Sequence, residues 1–105
     1  MNPTRGEIWL ADLGMIAKTR PVLVLSVSPL DFERDLVSYV IRTTSLRETQ
    51  YEIPHNHSGF KPGSFDVQSI STTVRPKFLR KLADVDSHTL SMVELALKQW
   101  LSLED

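Results

Sequence analysis

The 105-residue sequence contains no cysteine, few aromatic residues (8%) and only 4 glycines. Without cysteine, the chain can form neither a disulfide framework nor a thiolate metal site. No apolar run approaches the roughly 18 residues that a membrane-spanning helix needs, and residues 1–6 lack the apolar segment of a signal peptide. These absences predict a cytoplasmic protein.

The residues that are present give an ordinary globular composition. Apolar residues make up 41% and charged residues 24%, which excludes a disordered chain. A chain of this length has room for one domain, which we place at residues 1–105. The net charge is −1, but residues 1–83 hold 11 Lys and Arg against 8 Asp and Glu, whereas residues 84–105 hold one Lys against 5 acids. This distribution predicts that a polyanion would bind the body of the protein and not its C-terminal segment.

The stretch TRPVLVLS, residues 19–26, is the most informative part of the sequence. Its unbroken aliphatic run predicts a strand at the centre of a sheet. Because proline cannot donate to a ladder, Pro21 is expected at the beginning of this strand, which places Arg20 at the strand's mouth. A guanidinium held there loses little freedom when it meets a phosphate, so Arg20 is the first candidate for chemistry. The alternative is that Arg20 is a solvated strand end.

The rest of the chain predicts short strands followed by one helix. The strands are expected over residues 6–11, 20–27, 36–43, 51–54, 65–73 and 78–82. Near the C-terminus the apolar period changes, since Leu90, Val93 and Leu97 share one helical face. Asp86 or Ser87 is the expected N-cap of that helix. The predicted fold is mainly β, a small antiparallel barrel or curled sheet with the C-terminal helix packed on it.

Three motifs, in this order and spacing, resemble the MazF/PemK family of toxin endoribonucleases. They are RGEIWLADL at residues 5–13, RPVLVLS at residues 20–26 and TTS at residues 43–45. The resemblance covers nearly the whole chain. It implies an SH3-like barrel of the CcdB/PemK type that forms a homodimer and is neutralised by a cognate antitoxin. It also implies cleavage of single-stranded RNA, including mRNA, by attack of the ribose 2′-OH, without a metal or other cofactor.

The same resemblance implies catalytic roles for Arg20 and Thr44. Attack of a 2′-OH builds negative charge on the phosphate, and donors aimed at such charge contribute about 3–4 kcal/mol. Contacts to RNA are expected from a further set of polar residues, namely Lys18, Thr43, Ser45, Asp66 and Gln68. Without the resemblance, residues 43–45 would be an ordinary strand end.

The sequence departs from the family pattern on both sides of this site. Residues 15–19, MIAKT, replace a longer loop that carries a Glu-Gln-Gly segment, which removes an acidic residue sometimes assigned to the site. Residues 68–72, QSIST, stand where the family has Gln-Ile-Arg-Thr, and Asp66 is the nearest acid. Both changes concern contacts with the substrate.

Two other interpretations remain open at this point. His55 and His57 alternate along an extended loop, so their rings would face the same way and act as acid and base. They would also suit a metal ion, although no third ligand is spaced to join them. A non-catalytic CcdB-like poison, or a degenerate binding module on the same fold, would keep the architecture without cleavage.

The partners implied by the family lead to two further expectations. A groove made basic by Lys18, Arg20, Arg42 and Lys61 would attract RNA and an acidic, disordered antitoxin segment that competes with it. The wide apolar stripe on the last helix predicts a homodimer.

Overall fold

The computed structural model describes residues 2–16 and 18–103. A six-stranded antiparallel sheet has the order β4-β5-β3-β2-β1-β6 and is followed by one helix. The elements are β1 Glu7–Asp12, β2 Thr19–Val24, β3 Leu36–Thr43, β4 Glu52–His55, β5 Gly63–Val74, β6 Phe78–Asp84 and α1 Ser87–Leu101, with a 3-10 turn at Arg75–Lys77. The predicted mainly β fold with a C-terminal helix is therefore confirmed. Within these residues no helix is both long and apolar enough to cross a membrane.

Both faces of the sheet bury apolar side chains. On one face, α1 packs Val93 and Ala96 against a cluster from five strands that includes Leu23 and Phe65. On the other face, the cluster includes Trp9, Val22, Val24, Tyr39 and Phe78, and it contains no α1 residue among those that the structure describes. Phe78 of β6 packs edge-on against Tyr39 of β3, with ring centroids 5.8 Å apart. The sheet therefore curls over this second face, which we call the concave face.

Proline sets the limit of the ladder between β2 and β3. Strand β2 pairs with β1 from Thr19 onward, but its pairing with β3 begins only at Val22. Pro21 has no N–H to donate, so regular pairing on the β3 side stops there. Pro21 was predicted at the beginning of the strand and is its third residue, because pairing with β1 extends β2 back to Thr19. The strand ends at Val24 rather than at Val27, because the amides of Leu25 and Ser26 both turn to the carbonyl oxygen of Ser38.

The helix begins where its N-cap was expected. Asp86 is the cap, and its carboxylate accepts the Thr89 backbone N–H at 3.0 Å and the Thr89 hydroxyl at 2.7 Å. The helix ends at Leu101, where Ser102 adopts a left-handed conformation with φ 56°. Its outer side leaves several large apolar side chains exposed, namely Met92, Leu95, Trp100 and Leu101.

Candidate active site

The β1–β2 hairpin presents Lys18 and Arg20 at the mouth of β2. The turn is fixed by Asp12, whose carboxylate accepts the Gly14 backbone N–H at 3.0 Å, and by a bond of 2.9 Å from the Leu13 amide to the Lys18 carbonyl. Lys18 is exposed and has a left-handed φ of 59°. Arg20 follows in the regular ladder, directly opposite Ala11 of β1. The backbone of Arg20 is therefore held on one side, while its side chain is left free to act.

The guanidinium of Arg20 differs from the other half-buried guanidinium groups of the described chain. Arg5 bonds to the carbonyl of Leu25 and pairs with Glu94, and Arg75 pairs with Asp35 at 2.8 Å. The Arg20 side chain forms no hydrogen bond or ion pair with any residue in 2–16 or 18–103. Its five N–H donors are therefore available to an anion.

Strand register places Thr43 on the same face as Arg20. Val22 pairs with Ile41, and Arg20 and Thr43 lie two residues beyond this pair on their respective strands. Because side chains alternate along a strand, all four point to the concave face. The Thr43 hydroxyl oxygen accepts the Ser45 backbone N–H at 3.0 Å, which orients the hydroxyl. Its proton makes only a long contact of 3.5 Å with the Ser45 carbonyl oxygen, which a phosphate oxygen would replace.

Asp66 also lies on the concave face, since it pairs with Ile41 on one side and with Glu52 on the other. It is half-buried, and its carboxylate accepts the Gln68 backbone N–H at 3.1 Å. Gln68 itself is exposed where the register between β3 and β5 shifts. The Ser69 hydroxyl fills the gap in this ladder by accepting the Ile41 N–H at 2.7 Å.

The predicted site residues therefore form a centre and a rim. Arg20, Thr43 and Asp66 share the concave face at one end of the central strands. The exposed residues around this centre are Lys18, Thr44, Ser45 and Gln68. Thr44 lies just after β3, which ends at Thr43, and its side chain forms no hydrogen bond within the described residues.

Arg42 does not line a basic groove, so that part of the sequence-based expectation is wrong. It is only 4% exposed, because it alternates with Thr43 and points to the helix-covered face. Its Nε donates to His55 Nδ1 at 2.8 Å, and its Nη2 donates to the carbonyls of His55 and Lys61 at 2.8 and 2.6 Å. The guanidinium also lies 4.9 Å from the centre of the Phe60 ring. Burial lowers the pKa of Arg42.

Gly63 allows this buried arginine to lie against the end of β3. A Cβ atom at Gly63 would come within 2.6 Å of the Thr43 carbonyl oxygen and 2.8 Å of Arg42 Nη1. Only glycine fits between these groups, because real Cβ contacts are never so short. Gly63 falls between the predicted strands 51–54 and 65–73, and no local pattern in the sequence marks this close approach.

The two loop histidines lie side by side, as their alternation predicted, but His55 is not a free acid or base. The rings are 5.8 Å apart and nearly parallel. His55 is 3% exposed, and its Nδ1 accepts the hydrogen bond from Arg42, so the neutral ring carries its proton on Nε2. Burial, and then the positive charge of Arg42, lower the pKa of His55. In residues 2–16 and 18–103, no three His, Asp or Glu side chains are grouped to hold a metal ion.

Comparison with protein families identifies the fold and its lineage. The model of the PemK-like, MazF-like toxins of type II toxin–antitoxin systems matches residues 4–101. The chain belongs to this family. A search among curated proteins found no match.

Several solved structures share the fold of this PemK/MazF-family chain. An endoribonuclease from a mycobacterial species, in complex with its cognate antitoxin, has a TM-score of 0.84 at 24% identity, over 98% of both chains. A chain of the MazE–MazF complex from Deinococcus radiodurans has a TM-score of 0.85 at 17% identity, over 99% of both chains. The Mycobacterium tuberculosis toxin MazF-mt6 has a TM-score of 0.81 at 20% identity, over 94% of this chain and 99% of the toxin.

Proposed function

We propose that this toxin is an endoribonuclease that cleaves single-stranded RNA by attack of the ribose 2′-OH, without a metal or other cofactor. The observation that carries the proposal is the free, half-buried guanidinium of Arg20 on the same face as the oriented hydroxyl of Thr43. Family membership and the fold shared with proteins described as endoribonucleases support it.

The reaction needs charge stabilisation more than any other assistance. The 2′-oxygen forms a bond to phosphorus while the bond to the 5′-oxygen breaks, and the 2′-OH proton passes, in the net reaction, to the leaving oxygen. Negative charge accumulates on the two non-bridging oxygens, which the planar fork of Arg20 matches. The Thr43 hydroxyl donates to the same phosphate. The products would be a 2′,3′-cyclic phosphate and a 5′-OH.

Of the two adjacent threonines, Thr43 is the better placed for this role. It shares the concave face with Arg20, and its hydroxyl oxygen is anchored by the Ser45 amide. Thr44, to which the family resemblance assigns catalysis, lies beyond the strand and is exposed. Comparing Thr43→Val with Thr44→Val separates the two assignments, because each substitution removes a hydroxyl and keeps the shape. We expect Thr43→Val to slow cleavage about 10²-fold, which is typical of losing one charge-stabilising donor.

The test of the proposed function is cleavage of a long RNA by purified protein in EDTA. We expect discrete fragments with 2′,3′-cyclic phosphate ends, and Arg20→Ala should reduce cutting by at least about 10²-fold. The melting temperature should change little, because the Arg20 side chain makes no hydrogen bond or ion pair within the described chain. Arg80→Ala, at an exposed arginine of β6, is the matched control and should cut normally. Normal cutting by the Arg20 variant would contradict the assignment, and no cutting by wild-type protein would favour a CcdB-like, non-catalytic poison.

We further infer that the toxin works in the cytoplasm as a homodimer and is inhibited by a cognate antitoxin. Related structures contain a cognate antitoxin or MazE bound to the toxin. Exposed apolar side chains on α1 offer the surface for a second subunit. An acidic antitoxin segment that lies near Arg20 would block RNA by competition.

A further inference from the structure

An open cavity of about 320 Å³ adjoins the centre of the proposed site. Its apolar wall is formed by Leu46, Pro54 and Pro62, and its polar wall includes Glu52, Asn56 and Ser64. Ser64 lies directly opposite Thr43 in the β3–β5 ladder. Neighbouring strands are about 4.8 Å apart, so the edge of the cavity at Ser64 is one strand spacing from Thr43. A ligand in this cavity would therefore lie beside the phosphate that Arg20 and Thr43 hold.

Ser64 offers the cavity a hydroxyl that lacks a protein partner. The residue is 4% exposed, and its hydroxyl makes no hydrogen bond with any residue in the described ranges but remains accessible. Because Ser64 lines the cavity, a ligand seated there would supply the missing partner.

Glu52 offers the cavity an acceptor whose position is fixed. Its Oε1 accepts the backbone N–H groups of Arg47 at 2.8 Å and Glu48 at 3.0 Å. Its Oε2 accepts no hydrogen bond from the residues that the structure describes. Because two backbone amides orient the carboxylate, Oε2 binds a donor without first losing side-chain freedom. The second carboxylate in the lining, that of Glu48, makes the cavity unfavourable for a phosphate.

We propose that this cavity binds one RNA base that carries an exocyclic amino group, next to the cleaved phosphate. The proposal rests on the RNA cleavage proposed above. The ring would lie on the apolar wall, its amino group would donate to Glu52 Oε2, and Ser64 would donate to an adjacent ring nitrogen or carbonyl. Single-stranded bases are commonly recognised in this way, through their Watson–Crick edges.

Uracil is the base that this arrangement rejects. Adenine, cytosine and guanine each carry an amino group, whereas uracil has carbonyl oxygens on both sides of its single N–H. A uracil in the cavity would turn a carbonyl toward Glu52 or leave the carboxylate without its donor. Sites built around a hydrogen bond discriminate strongly against analogues that lack the group.

The experiment uses a pool of RNA with randomised sequence and reads the bases around each cut. At one position next to the cut, we expect wild-type protein to deplete uracil by about tenfold, which corresponds to one discriminating hydrogen bond. Glu52→Gln keeps an oxygen for the amides of Arg47 and Glu48 and replaces Oε2 by an NH2 group. This variant should remove most of the depletion of uracil.

Two further variants complete the test. Ser64→Ala should slow cleavage at the preferred sequences several-fold and leave cuts at other sequences nearly unchanged. Glu33→Gln is the matched control, because Glu33 also accepts a backbone amide (Leu30, 2.8 Å) but lies outside the cavity, in the β2–β3 loop. It should cut with the wild-type preference.

The outcomes separate this proposal from the proposed function. If wild-type protein cuts RNA but Glu52→Gln and Ser64→Ala both keep the wild-type base preference, the base subsite is overturned and the endoribonuclease stands. If wild-type protein cuts RNA without depleting uracil at any position next to the cut, the base subsite is likewise overturned and the endoribonuclease stands. If wild-type protein cuts no RNA, both proposals fail. If Glu52→Gln does not fold, Ser64→Ala alone decides.

Discussion

Arg42 is a buried cation with no carboxylate partner among residues 2–16 and 18–103, and its neighbours make this arrangement stable. Burying an isolated charge is costly unless hydrogen bonds replace its water. Here two carbonyl oxygens, one imidazole nitrogen and the Phe60 ring surround the guanidinium. Because these acceptors come from residues 55 and 61, Arg42 holds both ends of the β4–β5 connection against the end of β3.

The burial of His55 beside the charge of Arg42 predicts a loss of stability in mild acid. The pKa of His55 is lowered by burial, by Arg42 and by His57, and only Asp86 acts in the opposite direction. The unfolded chain would therefore take up a proton near pH 6.5 while the folded protein stays neutral at this residue. The stabilisation by neutral His55 is complete above pH 6.5 and is lost as the pH falls below it, by at most about 1.4 kcal/mol per pH unit.

Urea unfolding at several pH values between 7.5 and 5 checks this prediction. His55→Gln should flatten the decline of the unfolding free energy with falling pH, even if the variant is less stable at pH 7.5. His88→Gln, at an exposed histidine in the first turn of α1, should keep the wild-type decline. An equal slope in wild-type protein and His55→Gln would show that His55 does not cause the loss.

At the scale of elements, the caps and ladder ends follow from single residues. Pro21 limits the β2–β3 ladder, and Asp86 begins α1. Predicted β3 has the observed limits, residues 36–43, because the strand alternates clearly between polar turns. Strand β5 is longer than predicted and runs over residues 63–74. Its start at Gly63 depends on the close approach of β3, which no local pattern encodes.

The N-cap gives a prediction about α1. Asp86→Ala removes the acceptor for both the amide and the hydroxyl of Thr89, and should cost about 1 kcal/mol of stability. This corresponds to a drop in melting temperature of about 4–8 °C for a domain of this size. Asp86→Asn should retain most of the stability because it keeps an acceptor oxygen. Ser87→Ala should melt like wild type, and an equally large drop in that variant would argue against Asp86 as the cap.

At the scale of the whole molecule, the helix leaves an apolar surface uncovered. Met92, Leu95 and Trp100 are each more than two-fifths exposed. A groove of about 420 Å³ lies between α1 and Leu25, the residue that follows β2. Leu25, Leu95, Leu97 and Leu103 line its apolar part, with Arg5 and Glu94 paired at its edge. Contiguous exposed apolar surfaces usually mark an interface.

We therefore expect sedimentation at micromolar concentration to show a dimer of two 11.9 kDa chains. Leu95→Asp should shift the population toward the monomer, because a carboxylate placed in an apolar interface must lose its water. Val27→Asp, at an exposed apolar residue of the β2–β3 loop, is the control and should remain dimeric. A wild-type protein that sediments only as a monomer would refute the homodimer.

The sequence by itself determined the elements, their order and the family. Alternating or unbroken runs of apolar residues predicted the strands, the change to helical spacing predicted α1, and the RGEIWLADL and RPVLVLS motifs indicated the PemK/MazF family. These signals lie in neighbouring residues, so a linear sequence is enough to find them. A local pattern also made Arg20 the first candidate for chemistry. Because proline cannot donate to a ladder, Pro21 predicts the beginning of a strand, and Arg20 stands directly before it.

Only the tertiary structure decided which side chains meet. Arg42 and Thr43 are neighbours in sequence, yet one points to the helix-covered face with His55 and the other to the concave face with Arg20. Ser64 and Glu52 share a cavity because β5 pairs with both β3 and β4, and the register shift in β5 sets where those pairs fall. Strand register brings together residues that are far apart in the chain. The alternation of side chains within one strand does not specify which residues of the neighbouring strand they face.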